Sequence, residues 1–428
     1  MATAQTIPGI IPAYEDYTRC VHCGLCLNHC PTYRLWQLEA DSPRGRIRQM
    51  ILVKEGQVPL SSGFVDHIDK CLDCRSCESA CPSGVEYGKL VEHARALIES
   101  RYRRPWFTRT VRQFVFEKLL PNPGRIASAA KLLRFYQRSG LQSVARTTGV
   151  LKLLGLEERE RLLPPIDNPF FFDKLGKAFS SKGQLRARVA FFAGCIANVT
   201  FTKLNEATIR VLTANGCEVI VPNGQSCCGA LAAHAGVREA ARHLARKNIK
   251  AFGGLEFDAI LTNAAGCGST LKEYDHLFTP NEPEHAAAVA FRNKVKDVTE
   301  FLAALGLSAP LKPIVECVTY QDSCHLLHGQ KVREAPRHLL RAIPGVEFVE
   351  LPYSDICCGS AGVYNVTQTE ASLQLLAEKM AFAKATGAKL IATANPGCLL
   401  QMRAGVELHG TGQEVLHVVE LLDRAIES

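Results

Sequence analysis

The chain has 428 residues, 47% hydrophobic and 21% charged, with a formal net charge of +8. That length exceeds one ordinary core and points to a soluble protein of roughly two to four domains. No run approaches the roughly 18–20 uninterrupted apolar residues of a membrane-spanning helix, and the start, "MATAQTIPGIIPAYEDY", lacks the basic and apolar regions of a signal peptide. A long chain without an export signal has little use for a disulfide framework, so its 18 cysteines are expected to be reduced metal ligands in a cytoplasmic protein.

The first predicted element is a pair of matching blocks, "CVHCGLCLNHCP" from Cys20 to Pro31 and "CLDCRSCESACP" from Cys71 to Pro82. Cysteine gaps of two, two and three followed by proline let one tight loop aim several thiols at a compact cluster. In this pattern the fourth cysteine serves the other cluster. Cys20, Cys23, Cys26 and Cys81 are then expected to hold one [4Fe–4S] cluster, and Cys30, Cys71, Cys74 and Cys77 a second. Zinc is the alternative for isolated C-x2-C pairs, but two complete four-cysteine runs favour iron and sulfide. Arg19, Arg75, His22 and His29 stand close enough in sequence to offset cluster charge, although solvated side chains are the plainer reading. Between the blocks, helical spacing around Leu35, Leu38, Ile47 and Met50 predicts a helical ferredoxin-like unit in place of a compact strand-rich ferredoxin.

Residues Arg101 to Lys152 then carry twelve Lys or Arg against one acid, Glu117. "RTVRQFVFEKLL" and "ASAAKLLRFYQRSG" read as amphipathic helices broken by "PNPG". Such a segment is either a solvated connector or a surface for anionic lipid head groups or an acidic partner. No nucleic-acid motif accompanies the charge, so no nucleic acid is expected.

The second half contains a duplication. "FFAGC" at Cys195 aligns with "YQDSC" at Cys324, "SCCGA" at Cys227–Cys228 with "ICCGS" at Cys357–Cys358, and "NAAGCG" at Cys267 with "ANPGCL" at Cys398. Cys217 and Cys317 have no counterparts and are read as core or incidental thiols. Six β-rich runs ("RVAFFAG", "CEVIVPN", "FDAILTNAAG", "CVTYQDS", "VEFVELPYS", "KLIATANPG") precede these sites, each followed by a helical segment. That alternation predicts two α/β lobes with mostly parallel sheets and cysteines at the strands' carboxyl ends. Helix starts there favour thiolates, and glycines beside the cysteines (Gly229, Gly266, Gly359, Gly397) let backbone approach a bulky group. Four thiols per lobe therefore suggest additional cluster binding. The fold class is α+β multidomain: a helical two-cluster unit at 10–100, a basic helical connector at 101–185, and CCG lobes at 186–305 and 312–428.

Together, "CVHCGLCLNHCPTY", "DSPRGRI", "CLDCRSCESACPSGV", "CCGA", "GCGSTLKEY", "CHLLHGQKV", "CCGSAGVYN" and "TANPGC" resemble the iron–sulfur subunits of glycolate oxidase (glycolate dehydrogenase). The likeness runs from Cys20 to Cys398. It implies a component working beside FAD-containing 2-hydroxy-acid dehydrogenase subunits. The lobes also resemble those of heterodisulfide reductases, whose last motif is C-x2-C; here Thr270 and Gln401 stand at those positions.

No G-x-G-x-x-G fingerprint, P-loop or H-E-x-x-H is present. His325 and His328 in "CHLLHGQ" are read as packing or surface residues before metal or proton-handling ones. The expected role is electron transfer from a flavin partner oxidising glycolate to glyoxylate toward a membrane or quinone acceptor, peripheral to the inner face of the cytoplasmic membrane. No catalytic residue is expected in this chain. The alternatives are the same role with D-lactate or glycerol 3-phosphate, and disulfide chemistry in the lobes.

Overall fold

The computed structural model describes residue 7 and residues 9–426. Most of the "MATAQTIP" start therefore lies outside the described residues. Both cysteine blocks curl because neighbouring backbone positions take the left-handed region: His22 and Gly24 in the first loop, Asp73 and Arg75 in the second. Pro31 then opens the helix Pro31–Trp36 at a position where its missing N–H costs nothing. The helix Pro43–Lys54 starts on Ser42, whose Oγ accepts from Gly45 N at 3.0 Å. A Cβ at Gly45 would stand 1.9 Å from the Glu39 carbonyl oxygen, so only glycine permits this turn.

Helices Pro43–Lys54, Ser62–Asp69 and Tyr87–Arg101 pack around Met50, Phe64, Ile68, Val91 and Ile98, with Cys71 and Cys77 in the same core. The helical expectation for this unit holds: among the described residues the first strand is Ala178–Phe179. One detail differs. Leu38 falls between two helical segments and is exposed, because the chain leaves the helix at Gln37 in a left-handed cap.

The basic stretch is helical as expected. Helix Trp106–Gln113 runs into a π-helical turn at Phe114–Leu119, and Pro123–Arg138 follows from an Asn122 cap. Phe116, Leu120, Ile126 and Ala130 anchor it to the core of the first lobe. Phe107, Val111 and Phe114, at helical spacing on the other side, are exposed.

The repeat appears as two sheets. Strands β1 (Ala178–Phe179), β2 (Ala187–Phe191), β3 (Cys217–Ile220), β4 (Ala259–Thr262) and β5 (Val295–Asp297) run in the order β1-β3-β2-β4-β5. Strands β6 (Cys317–Gln321), β7 (Glu347–Glu350), β8 (Leu390–Thr393) and β9 (Glu414–His417) follow β7-β6-β8-β9, the first sheet's order without its antiparallel edge β1. All other pairings are parallel. The central strands are buried on both faces, which is why they read as apolar runs and not as alternating ones. All six β-rich runs form strands.

Strands β5 and β9 lie beyond the cysteine motifs, where the sequence pattern predicts none. Each ends in an equivalent helix cap, Asp297 with Glu300 and His417 with Glu420. The lobes share one core, in which Val189 and Phe191 join Val318 and Tyr320. His417 Nε2 also donates across to the Asn263 carbonyl at 3.0 Å.

Candidate metal centre

None of the 18 cysteines is in a disulfide. In the amino-terminal unit Cys20 lies near Cys23 and Cys81, and Cys26 near Cys20. Cys30, Cys71, Cys74 and Cys77 together line one small cavity of about 20 Å³, with Tyr87 and Arg46 also in its wall. Cys30, the fourth thiol of the first block, thus sits with the first three of the second, and Cys81 lies beside Cys20. Burial pushes Cys26 up to about 11, and Cys74 and Cys77 well above the ordinary thiol range.

This cavity rests on a buried polar cradle that begins in "DSPRGRI". Arg46, 1% exposed, donates from Nε to the His67 carbonyl at 2.6 Å and from Nη1 to Thr32 Oγ1 at 3.0 Å. Its Nη2 pairs with Asp41 at 3.2 Å. Thr32 Oγ1 in turn lies 3.2 Å from Cys30 Sγ, so the guanidinium fixes the residue beside a thiol.

In the first lobe Cys228 Sγ approaches Cys267 Sγ at 3.2 Å, and Cys195 contacts Cys227. In the second, Cys324 contacts Cys357, and Cys358 contacts Cys398. Cys217 and Cys317 stand apart from both groups, and their nearest charged neighbours are not thiols. The Thr270 and Gln401 side chains are buried, and Gln401 Nε2 donates to Ser372 Oγ at 2.9 Å; neither supplies a fifth thiol.

The second lobe adjoins the amino-terminal unit directly. Leu72, Cys74, Cys357, Tyr364 and Leu375 form one small apolar core, with Trp36 and Cys324 packed against it. Cys357 is the side chain with the strongest electrostatic influence on Cys74. His325 and His328 secure this contact: His325 Nε2 donates to the Asp73 carbonyl at 2.9 Å, and His328, its Nε2 donating to the Asp355 carbonyl of its own lobe, accepts at Nδ1 from Ser79 Oγ at 2.8 Å. Burial pulls His325 down to about 4 and lowers His328 as well, so both are neutral packing histidines.

Sequence reasoning missed the ion network at this junction. Asp73, Glu92 and Glu273 face Arg75, Arg95 and His234. Burial alone would strip the His234 proton, but its contacts with Asp73 at 3.2 Å and Glu92 at 2.8 Å hold the pKa at about 9. Three anions against three cations leave this group balanced, so it is an ion network and not another metal site. Asp73, Arg75, Glu92 and Arg95 lie in the amino-terminal unit, but His234 and Glu273 are far along the chain, so the network leaves no local signal.

The thiol groups fit iron–sulfur clusters. Thiols buried this deeply resist ionisation unless a bound cation compensates them. Cys30, Cys71, Cys74 and Cys77, convergent and undisulfided around one cavity, supply the soft donors that an iron–sulfur cluster requires.

Comparison with known proteins agrees with this chemistry. The family described as "4Fe-4S dicluster domain" matches residues 16–85, and "Cysteine-rich domain" matches 189–272 and 318–403. Residues 107–163 match "Glycolate oxidase iron-sulfur subunit, linker region". The chain is 42% identical over 419 residues to the probable glycolate oxidase iron-sulfur subunit of Bacillus subtilis (strain 168), covering 95% of this chain and 93% of that one. It is 31% identical to the glycolate oxidase iron-sulfur subunit of Escherichia coli (strain K12), covering 95% and 94%. A third relative, 30% identical over 83% of this chain and 72% of its own length, is a subunit of the fumarate reductase (CoM/CoB) of Methanothermobacter marburgensis. Two complete cysteine blocks, a duplicated lobe and a matching linker, all at full-length coverage, make this chain a member of the glycolate oxidase iron–sulfur subunit family.

Proposed function

We propose that the chain is the electron-carrying subunit of a complex in which an FAD-containing partner oxidises glycolate to glyoxylate. The oxidation releases two electrons and two protons. Cys20, Cys23, Cys26 and Cys81 hold one [4Fe–4S] cluster and Cys30, Cys71, Cys74 and Cys77 the other. Bound there, the clusters supply one-electron transfer between the flavin and a membrane acceptor such as a quinone. The chain's own residues fix the spacing, and the burial of Cys30, Cys71, Cys74 and Cys77 keeps water from that set. The observation that carries this reading is the apolar contact joining Cys74 to Cys357, which sets the two halves of the molecule side by side. Disulfide cleavage in the lobes fits less well, because Thr270 and Gln401 occupy the positions where further thiols would stand.

Substrate assignment is tested by mixing the anaerobic, reconstituted complex with glycolate, D-lactate or glycerol 3-phosphate. Glycolate is expected to bleach both flavin and cluster absorption fastest. Faster bleaching by either of the others would reassign the substrate.

The membrane end of the proposal rests on the linker. Trp106 is 78% exposed and Phe107 65%, and Phe107, Val111 and Phe114 line one side of their helix opposite the buried Phe116. The surrounding stretch carries twelve cations and one acid. An apolar stripe flanked by Lys and Arg suits the interface of an anionic bilayer. Replacing Phe107 and Phe114 together by serine is expected to weaken co-sedimentation with phosphatidylglycerol vesicles at least tenfold, since burying each ring contributes about 1.5–3 kcal/mol. Unchanged binding would detach the linker from the membrane.

A further inference from the structure

A buried position beside the cysteine pair carries a charge in one lobe and none in the other. In the first, Gly229 packs against Ala241; in the second, Gly359 packs against Ser372. These contacts align the helices Arg238–Phe252 and Thr369–Ala385. Seven residues further along, on the same face, stand Asn248 and Lys379. Asn248 is neutral and fully engaged: it donates to the Cys227 carbonyl and to Tyr274 Oη, each at 2.9 Å, and accepts from Ser226 N at 2.8 Å.

Lys379 is different. It is 2% exposed, and its Nζ donates to the Tyr353 carbonyl at 2.5 Å. Among the described residues no carboxylate comes within 4.0 Å of the ammonium, and the adjacent Glu378 is taken by Arg34. A buried cation without a counter-ion is costly. The groups able to supply negative charge around it are Cys358 and Cys357 and, beyond 4.0 Å, the carboxylates of Asp355 and Glu378. Metal-bound thiolates would provide the missing charge.

We propose that Lys379 is the fixed cation balancing an anionic metal–thiolate group held by Cys324, Cys357, Cys358 and Cys398. The first lobe, with Asn248 in that place, lacks this compensation. A fixed positive charge favours the more reduced, more negative form of any group beside it. The second lobe is thereby set at a higher potential than the first, on the side that adjoins Cys74. Lys379 is a positioning residue that acts through the field it places on the thiolates.

This inference goes beyond the relay reading, and its test reads no turnover, so either can fail alone. The full chain is isolated anaerobically, iron and sulfide are counted, and a dithionite titration is followed by electron paramagnetic resonance. Lys379→Met removes the charge, Lys379→Gln removes it while keeping a donor for the Tyr353 carbonyl, and Lys379→Arg retains it. In both neutral variants the second-lobe signal should move to lower potential. The shift should change the oxidised-to-reduced ratio at fixed potential at least tenfold, about 59 mV for one electron, with the amino-terminal signals unmoved. Selective iron loss from the second lobe in both neutral variants but not in Lys379→Arg would equally support the proposal. Unshifted signals in Lys379→Met and Lys379→Gln would overturn it. So would an equal shift in Lys379→Arg, or a parent chain holding only the iron that the two amino-terminal sets require.

Discussion

Replacing Cys74 with serine is expected to remove one cluster signal and bring glycolate-driven reduction of the acceptor to background, while the flavin partner still bleaches on glycolate. Cys74 lines one cavity with Cys30, Cys71 and Cys77, and it also touches the second lobe through Cys357. Losing this thiol therefore damages both a ligand set and the contact between halves. Cys23→Ser should remove the other amino-terminal signal with the same loss of turnover. Cys217→Ser is the control: Cys217 is buried in β3, burial pushes its thiol up to about 11, and no other thiol lies close by. That change should leave every cluster signal in place and cost about 1 kcal/mol of stability. Full turnover in Cys74→Ser with its signal absent would refute the relay role.

Arg46→Met is expected to destabilise the amino-terminal unit by about 3 kcal/mol, because it removes one of the two side chains that face the buried Asp41 carboxylate and leaves only His67 Nδ1, at 3.0 Å. The same change frees Thr32 beside Cys30, so the set with Cys30 should lose iron before the set with Cys20. Urea unfolding of the anaerobic protein, monitored at cluster absorption, measures both effects. A midpoint close to the parent's would show that the Arg46–Asp41 pair contributes little.

The parts of this protein that are legible in the sequence are those written locally. Gaps of two and three residues specify a loop that curls on itself, and His22, Gly24, Asp73 and Arg75 adopt the left-handed backbone that such loops need. Strands β2, β3, β4, β6, β7 and β8 each read as a short apolar run before a cysteine. Strands β5 and β9 do not, since "VKD" and "EVLH" are short and carry charge; their signal is the repeated cap of Asp297 with Glu300 and His417 with Glu420.

What stays hidden depends on distant partners. His234 meets Glu92 across 142 positions, and His325 meets Asp73 across 252. Nothing near either residue in sequence reveals such a contact. Lys379 is invisible for a related reason: in "LAEKMAFAK" it looks like any helical lysine, and only the packing of the helix Thr369–Ala385 against the cysteine pair buries it. Asp41 and Arg46 belong to a recognisable motif, but their role as a cradle under Cys30 emerges only from the fold.

The central claim is that the paired amino-terminal loops enclose iron and inorganic sulfide and make this chain a conductor of electrons. Iron and acid-labile sulfide counts on anaerobically purified chain, joined to low-temperature electron paramagnetic resonance after reduction, test it most directly. The account predicts brown protein with signals from at least two interacting [4Fe–4S] clusters, one lost in Cys23→Ser and another in Cys74→Ser. Colourless, iron-free protein that still folds and supports full glycolate-dependent electron transfer would contradict it.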